Sequence, residues 1–137
     1  MKLALDACVA LKLVLPEPDS GLALMLMEDY GNQIHELLAP STLPVEVAHA
    51  MTRAERQGVL DPADGLQRFE QLTAVFPELH DYTELLSRAY ERSSQSRIGV
   101  FDCLYIALSE REEAKVVTVD KRLIQLFPSL TVSLDAV

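Results

Sequence analysis

Several residue types are scarce in this chain, and each scarcity excludes something. There is no tryptophan and there are only two cysteines, Cys8 and Cys103, in 137 residues. Two cysteines are too few for a disulfide framework. The five glycines include no glycine-rich phosphate loop after the first apolar run, which argues against a nucleotide-binding domain. No run of 18 uncharged apolar residues is present, so no membrane span is expected. The start, Met1-Lys2-Leu3-Ala4-Leu5-Asp6, lacks the long apolar region and cleavage site of a signal peptide, and the cytoplasm is the expected compartment. Basic residues are also few: 12 Lys and Arg against 21 Asp and Glu give a net charge of −9. Nucleic-acid binders normally draw affinity from basic surface. The acidity suits either an enzyme that concentrates charge at a metal site or a surface built for a basic partner.

What is present is ample apolar material, 49% of the residues, enough for one domain spanning residues 1–137. Apolar runs at Lys2–Leu5, Glu36–Ala39, Val75–Leu79, Val116–Val119 and Leu130–Leu134 predict strands. Helices are predicted over Val9–Leu15, from Asp19 or Ser20 to Gly31, from Pro44 to Gly58, over Pro62–Ala74 behind the cap Asp61, from Tyr82 to Tyr90, around Phe101–Leu108, and over Lys121–Phe127. Ser93–Arg97 reads as a polar loop. The alternation predicts an α/β fold, a three-layer α/β/α sandwich around a mostly parallel sheet.

Four acids stand at the ends of these elements. Asp6 closes the first strand, Glu46 opens a helix after Pro44, Asp102 heads another, and Asp120 follows the strand Val116–Val119. In open α/β sheets, sites form beyond the carboxyl ends of the strands, so the four can converge. Clustered carboxylates repel one another and need a cation to stay ionised. Hard oxygen donors of this kind suit Mg2+ or Mn2+. The competing reading of each acid is a helix cap. A phospho-receiver domain would want paired acids after the first strand, and Asp6 stands alone.

The segments Leu5-Asp6-Ala7-Cys8-Val9-Ala10-Leu11-Lys12, Pro44-Val45-Glu46-Val47-Ala48, Phe101-Asp102-Cys103-Leu104-Tyr105-Ile106-Ala107-Leu108 and Val117-Thr118-Val119-Asp120-Lys121-Arg122-Leu123 resemble PIN-domain ribonucleases, most closely the toxins of VapBC toxin–antitoxin pairs. The resemblance implies a metal-dependent endoribonuclease that leaves 5′-phosphate and 3′-hydroxyl ends. It implies one or two Mg2+ or Mn2+ ions held by Asp6, Asp102, Glu46 and Asp120. It also implies an RNA substrate, a cognate antitoxin protein and a homodimer.

By the same resemblance Thr118 supports the acids, as an alternative to a plain β-branched strand residue. Cys8 stands where the family usually has Ser or Thr, and a thiol is a weaker donor. Cys103 and Cys8 otherwise read as small buried hydrophobes. Lys12, Arg53, Arg56, Arg97, Lys121 and Arg122 are candidate RNA contacts, each alternatively a solvated charge. His49, one turn past Glu46, reads first as a helix-surface residue. The apolar run Leu22–Tyr30 suggests a groove, shared with the helix from Pro44, for an amphipathic antitoxin segment whose Arg or Lys reaches the acids. The alternative function is a non-catalytic module of the same fold that binds a basic partner peptide.

Overall fold

The first, second and fourth apolar runs become largely buried strands, while the third and fifth form partly exposed edges. The computed structural model describes residues 1–137. The order is β1 (Lys2–Leu5), α1 (Ala7–Leu11), α2 (Ser20–Gly31), β2 (Glu36–Pro40), α3 (Leu43–Arg56), α4 (Pro62–Thr73), β3 (Glu78–His80), α5 (Leu86–Ser96), α6 (Val100–Glu112), β4 (Lys115–Thr118), α7 (Lys121–Leu126) and β5 (Thr131–Ser133). One five-stranded sheet runs β3-β2-β1-β4-β5, with every neighbouring pair parallel.

Successive strand side chains point to opposite faces, and the core divides accordingly. Leu3, Leu5, Leu37, Ala39 and Val117 pack with residues of α1 to α4. Ala4, Leu38 and Val116 pack with residues of α5, α6 and α7. Each fully buried leucine contributes about 1.5–3 kcal/mol of transfer free energy. Helices on both faces make the α/β/α sandwich.

Local departures from the expected elements have physical causes. The first helix stops at Leu11 rather than reaching Leu15. The N–H groups of Lys12, Leu13 and Val14 bond three residues back, to Val9, Ala10 and Leu11, a tighter pitch that Pro16 does not extend. The third strand starts at Glu78, not Val75, just after Pro77, which has no N–H to offer a ladder. Ser93–Ser96 is helix rather than loop. Its end is set by Arg97 in the left-handed region at φ 58°, with Ser93 Oγ donating to the Ile98 carbonyl. Gly58, at φ 75°, takes the left-handed turn just beyond α3.

The chain leaves β1 toward β2 on one side and returns to pair β4 with it on the other. The loops after β1 and β4 therefore diverge, opening a crevice at the carboxyl end of the two central strands.

Candidate active site

Asp6 sits in that crevice. Its N–H bonds the Val117 carbonyl at 3.3 Å, which pins its backbone to β4. It occupies the cap position of α1 but makes no side-chain cap bond. Instead Oδ2 accepts from Thr118 Oγ1 at 2.6 Å and from Cys8 Sγ at 3.0 Å. Thr118 Oγ1 in turn accepts the Asp120 N–H at 3.0 Å. One hydroxyl thus ties the ends of β1 and β4 together, and Thr118 does more than fill a strand position. Cys8 supplies the donor that a hydroxyl would.

Glu46 lies on the first turn of α3. Its Oε2 accepts from Thr42 Oγ1 at 3.0 Å and from the Tyr105 hydroxyl at 2.9 Å. Asp102 lies on the first turn of α6, and Tyr105 is one turn further along the same helix. Asp120 has the role its position suggests, since Oδ1 caps α7 by accepting from the N–H groups of Arg122 and Leu123 at 2.9 and 3.2 Å.

Asp6, Glu46 and Asp102 each feel neighbouring acids. Burial pushes Asp6 above the ordinary carboxylate value, against the hydrogen bonds of Cys8 and Thr118, and the Asp120 charge adds to the rise. Glu46 is pushed up to about 7, first by burial and then by Asp6 and Asp102. Asp102 is pushed up to about 6 by burial, Asp6 and Asp120. The acids share a field without closing on a single point, as no three His, Cys, Asp or Glu side chains meet the spacing of a ready-made ion cage.

Other candidates divide. Lys12 is only 6% exposed and pairs with Glu17 at 2.6 Å and Asp19 at 3.8 Å. It is a buried structural cation already paired with Glu17 and Asp19, not a surface charge free to meet RNA. Arg53, Arg56, Arg97 and Lys121 are exposed. Arg122 donates to the Arg97 carbonyl at 3.2 Å, and its charge moderates the rise at Asp102. His49 is exposed, as a helix-surface residue. The two thiols pack on opposite faces of the sheet, Cys8 against the α1–α4 side and Cys103 within the α5–α7 side. Burial holds both protonated, Cys8 at about 12 and Cys103 at about 11.

Sequence reasoning missed Tyr105 and Thr42. Tyr105, 1% exposed, reads as one more apolar position in its helix. The available signal was its hydroxyl, which when buried needs a partner. Because the phenol bond lowers the Glu46 pKa, Tyr105→Phe is expected to raise it further above about 7. A carbon NMR titration of glutamate carboxyls checks this; an unchanged midpoint would show that the phenol bond is not made.

A carboxylate-lined crevice at the chain-reversal point of a five-stranded parallel sheet, with acids from β1, α3, α6 and the end of β4, defines the PIN class of domain. The PIN domain family model matches residues 3–126, and the chain belongs to that family. Within it, the chain groups with the VapC proteins. It is 32% identical over 132 residues to Ribonuclease VapC3 of Pyrobaculum aerophilum, covering 95% of this chain and 98% of that one. It is 33% identical over 91 residues to Ribonuclease VapC3 of Mycobacterium tuberculosis, covering 66% of this chain and 65% of that one. The fold is shared with the crystal structure of PAE2754 from Pyrobaculum aerophilum, at a TM-score of 0.74, 17% identity, and coverage of 98% and 93%. It is also shared with VapBC2 from Rickettsia felis bound to a promoter DNA fragment, at 0.68, 15% identity, and coverage of 97% and 98%.

Proposed function

We propose that this chain is a Mg2+- or Mn2+-dependent endoribonuclease, the toxin of a toxin–antitoxin pair. The observation that carries the reading is that Asp6, Glu46 and Asp102 lie at one crevice, where burial and the charges of neighbouring acids, Asp120 among them, disfavour their charged forms. That arrangement costs stability unless a cation neutralises it. Hard carboxylate oxygens fit magnesium or manganese, and the absence of a closed cage suits an ion that keeps several of its own waters and takes one or two carboxylates. When bound, such an ion supplies charge neutralisation and a bound water of lowered pKa.

The chain's own residues divide the remaining work. Asp6 is the most rigidly held acid, fixed by Thr118 and Cys8, and is assigned as the principal ligand, with Asp102 second. Glu46, clamped through Oε2 by Thr42 and Tyr105, presents Oε1 to ligate through water or to orient the attacking water. Asp120, with one oxygen committed to its helix, completes a second ion position. Exposed Arg53, Arg97, Lys121 and Arg122 are placed as RNA phosphate contacts.

The partner reading follows the surface. The groove next to α2 is walled by Leu24 and Met27 of α2, Arg68, Gln71 and Leu72 of α4, and Leu13, Val14 and Val75. It lies against α4 rather than the expected α3. An apolar antitoxin helix fits it, with a basic tail reaching the acids. Exposed Leu86 and Tyr90 on α5 suit contact between copies in a homodimer. An RNA substrate is consistent with activity in the cytoplasm.

The purified protein with a labelled single-stranded RNA is the test. Cleavage is expected with Mn2+ or Mg2+, giving 5′-phosphate and 3′-hydroxyl ends, and is expected to stop in EDTA. Cleavage that continues in EDTA would overturn the metal-dependent reading. No cleavage with either ion would leave the module that binds a basic peptide.

A further inference from the structure

The acids are not the only chemistry at this edge of the sheet. Beside them Ala7, Val45, Glu46, His49 and Phe101 wall an open cleft of about 590 Å³. Each wall residue is tied to the acid cluster by the chain. Ala7 follows Asp6, Val45 precedes Glu46, His49 is one turn past Glu46, and Phe101 precedes Asp102. Glu46 itself belongs to both. The cleft is therefore continuous with the acids, yet most of its lining is apolar.

Val45 is 70% and Phe101 54% exposed. A large aromatic and a branched aliphatic left in water at the mouth of a charged crevice point to something that covers them. An inorganic ion or a bare phosphate has no use for such walls. A phosphodiester held at the acids carries a flat apolar base on the adjoining nucleotide, and the cleft is the space next to it.

We infer that the cleft is a nucleobase subsite in which an unpaired base flanking the scissile phosphate stacks on Phe101. Val45 covers the opposite side and His49 offers a ring nitrogen to the base edge. The inference rests on the nuclease reading and narrows it. A base within an A-form duplex is already stacked and is not free to enter, whereas bases in single strands and loops can be splayed onto an aromatic ring. Stacking tolerates any base, because every base has a π face. Arg53 continues the track, exposed one helical turn beyond His49 and about 6 Å further along α3, where it meets the next phosphate. Sequence preference at the stacked position is therefore weak.

The test uses a fluorescein-labelled 12-nucleotide RNA, single-stranded or folded as a hairpin stem, and a third version abasic beside the cut. Binding is followed by anisotropy with Mg2+ in an Asp6→Asn background, and cleavage in the native background. Phe101→Ala and Phe101→Leu are expected to weaken single-strand binding and raise KM about 10-fold, with Phe101→Trp retaining both. The abasic RNA should bind the parent protein about 10-fold more weakly, and Phe101→Ala should make that binding no worse. Equal binding and cleavage by Phe101→Ala and the parent would overturn the subsite. So would a loss confined to self-association in sedimentation, or to binding of a basic apolar peptide, which would make this face a protein interface. Phe101-dependent binding without cleavage by the native protein would instead sink the nuclease reading and leave the subsite standing.

Discussion

Asp6→Asn is expected to lower metal-supported RNA cleavage about a hundred- to a thousandfold while the protein stays folded. The size follows from removing the charge that would hold the ion at the reacting phosphate, where a single fixed electrostatic group is worth on the order of 10²–10³. Losing a supporting residue around a metal costs less, about 10–100-fold. Folding is expected to survive because asparagine keeps the shape and still accepts from Thr118 and Cys8 through its amide oxygen. Metal-free Asp6→Asn should melt no lower than the parent, since a buried like charge is gone. Circular dichroism melts beside single-turnover cleavage check both halves. Parental activity in a preparation shown free of contaminating nuclease would remove Asp6 from the mechanism.

Metal-free protein is expected to lose stability as pH rises from about 4 to about 7, the reverse of common acid denaturation. Glu46 titrates near 7 in the fold against an ordinary 4.5, and Asp102 near 6 against 3.8. In that interval the folded state keeps protons that the unfolded chain has released, so the slope of stability against pH is negative. The contribution is fully present below the unfolded values and gone once pH passes the folded ones. Both groups are partly solvated and coupled, so the discounted total is on the order of 2 kcal/mol, or roughly 5–8 °C in Tm. Glu110, held low by Arg92 and Arg88, acts in the opposite direction but below pH 5. Millimolar Mg2+ should raise the Tm at pH 8 far more than at pH 5, because only the ionised acids bind it. Glu46→Gln with Asp102→Asn should flatten the profile and raise the metal-free Tm at pH 8. A parent Tm that climbs between pH 5 and 8 without metal would contradict the cluster's electrostatics.

The central strands and the positions of the acids at element ends were readable because each follows a local rule. Leu3–Leu5 and Val116–Val117 are apolar at consecutive positions, as a strand covered on both faces requires. Pro44 and Pro62 mark first helical turns, and Asp61 caps its helix by accepting the Ala63 N–H. What escaped depends on partners distant in sequence. Ser93–Ser96 is polar because α5 shows most of its surface to water, yet Ala89 anchors that helix against the α6 side of the core. Lys12 reads as a free cation until the turn after α1 brings Glu17 and Asp19 to it. Tyr105 meets Glu46 across 59 residues of chain, and nothing in its neighbourhood announces that pairing. The cleft formed by Val45 and Phe101 exists only once the first turns of α3 and α6, from opposite faces of the sheet, meet at its edge.

The bond from Thr118 to Asp6 spans 112 positions, and β1 has its carboxyl-end partner in β4. During synthesis the first half of the sheet, β1 with β2 and β3, emerges well before β4. A ribosome-bound chain that ends before residue 115 therefore carries Asp6, Glu46 and Asp102 without the hydroxyl and the strand that fix Asp6 in place. Contacts of such high sequence separation form late. The chain thus acquires its assembled centre only after β4 has been made, and products truncated before β4 lack the contacts that fix Asp6.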